Sequence, residues 1–169
     1  TPFHLGPACA VKAVLGGAFS VTVFGFAQVV MDVEPLVHLL RGEGIEHGLS
    51  HTYLGATLIA VFSVLVGRPL CQVLLNRWRP DPGDRFLTWL RGPGVITWPV
   101  AVGAAFVGTY SHVLFDSMIH ADVRPFVPFS AGNPLQGLVS FEAMHLLCVG
   151  TGLLGLLGLA VVYLVESRA

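Results

Sequence analysis

The chain has 169 residues, 54% of them hydrophobic and only 11% charged, with a formal net charge of −1. That length is one domain, the mean hydropathy of +0.74 exceeds that of an ordinary soluble domain, and a charge so near zero leaves no basic face for nucleic acid. Composition therefore selects an all-α, single-domain integral membrane protein over residues 1–169, with the lipid bilayer as its first partner.

In chain order, the N-terminal segment TPFHLGPACAVKAVLGG is not expected to be a signal peptide, because its one early cation, Lys12, lies inside the apolar run instead of ahead of it. We read it as part of the fold. The apolar stretch 7–31 admits two forms. As one helix it spans the membrane and separates His4 from Asp32 by about 40 Å at 1.5 Å per residue. However, Gly16-Gly17 followed by Ser20, Thr22 and Val23 is weak helix sequence. The alternative is a re-entrant hairpin, with a short helix over 7–15, a turn, and a second helix over 19–31, which brings His4 and Asp32 together. The hairpin is the preferred expectation. Pro35 is expected to end the second helix, leaving Asp32 and Glu34 on a bend.

Three further stretches are long enough to cross roughly 30 Å of hydrocarbon: residues 52–67 with a continuation to 75, residues 95–119, and residues 138–165. The last carries Gly150, Gly152, Gly155 and Gly158, suited to close helix packing. The bundle thus has about four helices. Residues 68–94, read as a loop, hold Arg68, Arg77, Arg79, Arg85 and Arg91 against Asp81 and Asp84, with Trp78, Trp89 and Trp98 as an interfacial belt. Such an Arg excess marks the cytoplasmic side. Residues 32–50 and 120–137 then fall on the opposite, extracytoplasmic face. Cys9, Cys71 and Cys148 are far apart in apolar sequence and read as buried thiols.

Ionisable residues gather at one end of these stretches, where they are costly and therefore read as functional. SHVLFD at 111–116 sets His112 and Asp116 four apart, on one helix face. HGLSH at 47–51 repeats that spacing with His47 and His51. Asp32 and Glu34 stand on the bend, and Glu142 and His145 begin the last helix. Imidazole and carboxylate together suit Zn²⁺, with Mn²⁺ or Fe²⁺ as alternatives. The same pairs would also serve a buried polar network that keeps helices in register. Arg124, the one cation of its loop, can hold a phosphate or carboxylate bidentately, or pair with Asp122.

Over residues 4–130 the chain resembles the YdjM-like membrane-bound proteins, a family of predicted metal-dependent hydrolases distantly similar to the zinc-dependent phospholipase C and nuclease superfamily. The matching segments are His4-Leu-Gly, Asp32-Val-Glu34-Pro35 for a PDxDHP-like turn, residues 47–52 for an HRGxTHS-like motif, and residues 108–116 for a GxxSHxxxD-like segment. Ile119-His120-Ala-Asp122-Val-Arg124-Pro125 stands where the family has its small-residue turn. Two departures stand out. Glu46 occupies the place of the first histidine of the second motif, with His47 one position later, and Glu34 replaces an aspartate.

The resemblance implies a metal held by Asp32, His51, His112 and Asp116 with His4 as fifth ligand, and it favours the hairpin. Glu34 or His47 then acts as general base or supports the ligands, and Arg124 holds the anionic group. The substrate class is a phosphoester of a lipid or lipid-linked molecule. Two other functions fit the sequence. One is a non-catalytic subunit among other membrane-protein subunits, with a structural metal or a haem-ligating histidine such as His112 or His145. The other is a proton relay, disfavoured because the ionisable residues gather at one face.

Overall fold

The computed structural model describes residues 2–43 and 47–168, and among them every regular element is helical. A 3₁₀ turn, Pro2–Leu5, leads into α1 (Gly6–Leu15), and a second 3₁₀ turn, Gly16–Ala18, reverses the chain into α2 (Val21–Met31) and α3 (Val33–Leu40). The hairpin is therefore the form adopted. Gly16 sits at φ 51°, a left-handed conformation that favours glycine. Lys12 closes the turn by donating from Nζ to the Gly16 carbonyl at 2.8 Å and to the Phe19 carbonyl at 3.0 Å, so the one cation of the apolar run satisfies carbonyls the helix end leaves open. Ser20 caps α2 by accepting from the Val23 amide at 3.3 Å.

Pro35 does not end the helical path as expected. The break falls at Asp32, one residue deep, and Pro35 occupies the first turn of α3, where a missing N–H costs nothing. Helix α4 (Tyr53–Phe62) is likewise continued, through a π-turn at Ser63–Gly67, into α5 (Arg68–Arg77). Pro69 at the start of α5 cannot bond back into a regular helix, and the wider turn absorbs the misfit. Part of the segment read as a loop is thus helix α5, and a further part is α6 (Arg85–Arg91), capped by Asp84 Oδ1 accepting from the Leu87 amide at 2.9 Å. Helices α7 (Trp98–Ile119) and α8 (Phe141–Glu166) complete the chain.

Four helical segments are long and apolar enough to cross a membrane: Val21–Leu40, Tyr53–Arg77, Trp98–Ile119 and Phe141–Glu166. This is consistent with an integral membrane protein. Helix α2 is the hub. It packs on α7 and on the α4–α5 helix, burying Val23, Phe24, Ala27 and Met31 against Ala56, Ala60, Ala101, Ala104 and Ala105. Small side chains let backbones approach where apolar burial gives little advantage over lipid.

The other layer is α1 against α8, the most extensive pairing in the fold. A Cβ at Gly155 would lie 2.2 Å from the Ala10 nitrogen, and one at Gly152 would lie 3.3 Å from Gly6 Cα. Gly158 meets Ala13 Cβ at 3.1 Å, whereas Gly150 faces open space. Three of the four glycines thus form the contact. Gly155→Ala should force α1 away from α8 and lower stability by about 1–3 kcal/mol, as overpacking does, while Gly150→Ala should leave the thermal midpoint in detergent unchanged.

Candidate metal centre

The last two turns of α7 present His112 and Asp116 on one face, both buried. Asp116 Oδ2 lies 3.1 Å from His112 Nε2 and 3.2 Å from His51 Nε2. Its other oxygen, Oδ1, lies 3.6 Å from His4 Nε2 and 3.8 Å from His120 Nε2. Asp32, at the junction of α2 and α3, brings Oδ1 to 3.4 Å from His112 Nε2, with its side chain 42% exposed. The five residues expected to hold metal therefore meet at one end of the bundle, although they come from the first turn of the chain, the α2–α3 break, the entry to α4 and the end of α7.

Hydrogen bonds outside the cluster aim the rings of His112 and His51. His112 Nδ1 donates to Gln28 Oε1 on α2, and Gln28 Nε2 donates to the Gly108 carbonyl at 3.0 Å. That contact fixes the tautomer with a lone pair on His112 Nε2, directed at the carboxylates. It needs α2 close to α7, which Gly108 allows: a Cβ there would lie 3.2 Å from the Phe24 carbonyl oxygen. His51 is held by a hydrogen bond between Nδ1 and Ser50 Oγ at 2.8 Å. Thr52 caps α4 just behind it, Oγ1 accepting from the Gly55 amide at 2.9 Å.

Four atoms of this cluster, His4 Nδ1, His51 Nε2, His112 Nε2 and Asp116 Oδ1, are buried without a hydrogen-bond partner. The N···O distances are short, but the groups face one another without hydrogen-bond alignment. Each orphaned polar atom costs about 1–3 kcal/mol, so several in one place need a common partner. The ligand atoms of His4, His112 and Asp116 lie within 4.8 Å of one another, as do those of Asp32, His51 and His112. Such a donor set fits a divalent cation. Burial pushes the His4 imidazole down to about 4 and lowers His51 as well, so both rings are neutral at neutral pH, the form that ligates.

The other candidates divide. His47 lies beside the cluster, its ring 4.5 Å from those of His51 and His120. Asp122 Oδ2 accepts from the His47 backbone amide at 2.9 Å and from Nδ1 at 2.8 Å. Partial burial opposes ionisation of Asp122, but these two bonds hold its carboxyl below the usual range. Asp122 thus pairs with His47, and among the described residues no ion pair joins it to Arg124, which is exposed.

Glu34 is bonded to the loop before His51 and belongs to none of the candidate ligand groups. Its carboxylate accepts from the Leu49 amide at 3.2 Å and the Ser50 amide at 2.7 Å, and a Cβ on Gly48 would sit 2.4 Å from Oε1. It fastens the loop that carries His51. Glu142 is exposed, and His145 donates from Nδ1 to the Phe141 carbonyl at 2.7 Å, so neither joins the group. Glu46 lies outside the described residues. Gln28, Ser50 and His120 were not anticipated as parts of the site. A lone amide inside FGFAQVVM is the one sequence signal that points to Gln28.

No family model matches this chain, and no solved structure matches it. A 59-residue stretch is 41% identical to mouse (Mus musculus) cytochrome P450 1B1, covering 35% of this chain and 10% of that protein. The chain thus spans about a tenth of the length of the curated relative it matches, and the similarity assigns it to no family.

Proposed function

We propose that this protein is a membrane-embedded, metal-dependent hydrolase acting on a phosphoester of a lipid or lipid-linked substrate at the bilayer surface. The observation that carries the proposal is the convergence of buried imidazole and carboxylate atoms that have no hydrogen-bond partner. His4, Asp32, His51, His112 and Asp116 would hold the ion, with Zn²⁺ favoured by the three imidazoles and Mn²⁺ or Fe²⁺ as alternatives. When bound, such an ion supplies Lewis-acid polarisation and lowers the pKa of water toward neutrality.

The chain's own groups supply the rest. His47, oriented by its bond to Asp122, is the imidazole beside the cluster suited to accept the proton of the attacking water. Glu34 acts as a positioning residue, through the His51 loop. Arg124, exposed in the loop tied to the start of α4 by the Tyr53 amide donating to the Pro125 carbonyl at 2.8 Å, would bind the phosphate. The resemblance to YdjM-like hydrolases supports the same reading. Arg-rich segment 68–91 would be cytoplasmic, placing the site on the extracytoplasmic side.

Elemental analysis of purified protein is the first test. His112→Ala and Asp116→Ala should each lose at least tenfold of the bound zinc or manganese, while Glu142→Ala keeps it. Unchanged metal content in the first two would refute the site. Gln28→Leu keeps all five ligands but frees the His112 ring, and should weaken metal affinity about 10–100-fold. It should also lower the thermal midpoint of the metal-free protein, because the buried His112 Nδ1–H loses its acceptor. Against phosphatidic acid in mixed micelles, Arg124→Gln should raise KM about tenfold, as loss of a charged hydrogen bond does, with metal content intact.

A further inference from the structure

At the end of the bundle opposite the His/Asp cluster lies a cavity, about 550 Å³, that the hydrolytic reading does not use. The reversal Gly16–Ala18, the end of α5, α6 with its following loop, the start of α7 and the end of α8 enclose it. Its walls are mostly apolar, including Phe19, Leu75, Val100, Leu156 and Leu159. A void of this size and lining belongs to the class that accepts small amphiphiles.

Three charged residues line it: Lys12, Arg91 and Glu166. Glu166 is engaged, Oε2 accepting from Trp89 Nε1 at 2.6 Å. Lys12 spends two of its three N–H groups on the Gly16 and Phe19 carbonyls. Arg91 donates from Nε to the Trp78 carbonyl at 3.0 Å, and among the described residues its terminal nitrogens make no hydrogen bond or ion pair. Two cations with donors to spare, against one carboxylate already bonded, leave the cavity electropositive. An anion complements that charge, and the apolar walls require it to carry a hydrocarbon tail. Basic pockets between membrane helices take anionic headgroups for this reason. Trp78 and Trp89, also in the lining, are the amphipathic rings that settle where headgroup meets chain.

We infer that this cavity binds an anionic phospholipid, with one acyl chain against Phe19, Leu75 and Leu159 and the phosphate on Lys12 and Arg91. The site lies at the Arg-bearing end of the bundle and shares no lining residue with the His/Asp cluster. Binding there joins the α1–α2 reversal to α6 and α8, so the lipid stabilises the hairpin that carries His4.

The test is thermal unfolding of the delipidated, detergent-solubilised protein with added phosphatidylglycerol, phosphatidylcholine or inorganic phosphate. Phosphatidylglycerol should raise the midpoint by several degrees, as a ligand that binds only the folded state does, and the other two should not. Gly17 lines the cavity, a Cβ there meets nothing within 4 Å and its φ is not left-handed, so Gly17→Phe should fill the space and abolish the shift without lowering the lipid-free midpoint. Arg91→Gln should abolish it too. Because Arg91 also holds Trp78, Gly17→Phe decides if Arg91→Gln is unstable alone. An equal shift from phosphatidylcholine or phosphate, or a full phosphatidylglycerol shift in Gly17→Phe, would overturn the inference.

Discussion

Asp116 is the constraint around which this molecule is built. A carboxylate 2% exposed near the end of a membrane-length helix is far too costly to leave ionised without compensation. Helix α7 with its C-terminal cap, the turn entering α4 and the chain's first turn direct imidazoles toward it, two on each oxygen. Neutral imidazoles pair poorly with a carboxylate unless they donate, and here the contacts of His51 and His112 lack that alignment while both rings spend Nδ1 on Ser50 and Gln28. The cluster is therefore arranged as acceptors converging on one region, which favours a cation over a proton network.

That arrangement demands an unusual path for the first forty residues. Helix α1 has ten residues, about 15 Å at 1.5 Å per residue, too short to cross hydrocarbon alone, whereas α2 continued by α3 reaches membrane-spanning length. Folded back on each other, they return His4 to the end where Asp32 breaks the helix. The cost is a tight reversal at Gly16–Ala18, where Lys12 donates to the Gly16 and Phe19 carbonyls. The gain is an imidazole, His4, brought to Asp116 from a segment that a straight span would have left on the other face.

Much of this is legible in the sequence because it depends on local chemistry. Gly16-Gly17 marks the reversal, and the four-residue spacing of His112 and Asp116 puts them on one face whatever surrounds them. Pro35 misleads, since a proline can stop a helix or begin the first turn of the next, and only the one-residue break at Asp32 decides which. The role of Glu34 is equally hidden. As a carboxylate two residues from Asp32 it reads as a reactive group, whereas the bare Gly48 backbone draws it onto the amides of Leu49 and Ser50. Gln28 depends on contacts far along the chain, 80 residues in the bond from Gln28 to Gly108, so the lone amide in FGFAQVVM marks the residue without revealing its partner. His120, by contrast, stands four residues after Asp116, and its approach to Oδ1 follows from that local spacing.

Helix register then ties the two layers of the bundle to the same site. Gln28 reaches His112 only while Gly108 lets α2 lie against α7, and a rotation of α2 by one residue, about 100°, would carry Gln28 and Asp32 off that line together. His4 has no such helix-borne support. It precedes α1, and α1 is held by the small-residue seam of Gly152, Gly155 and Gly158 on α8. Four of the five candidate ligands are therefore placed by the α2–α4–α7 core, and the fifth by an independent seam at the edge of the bundle. Loosening that seam releases His4 from Asp116 Oδ1 while leaving His51 and His112 on Oδ2, so α1–α8 packing governs how completely the His/Asp cluster closes.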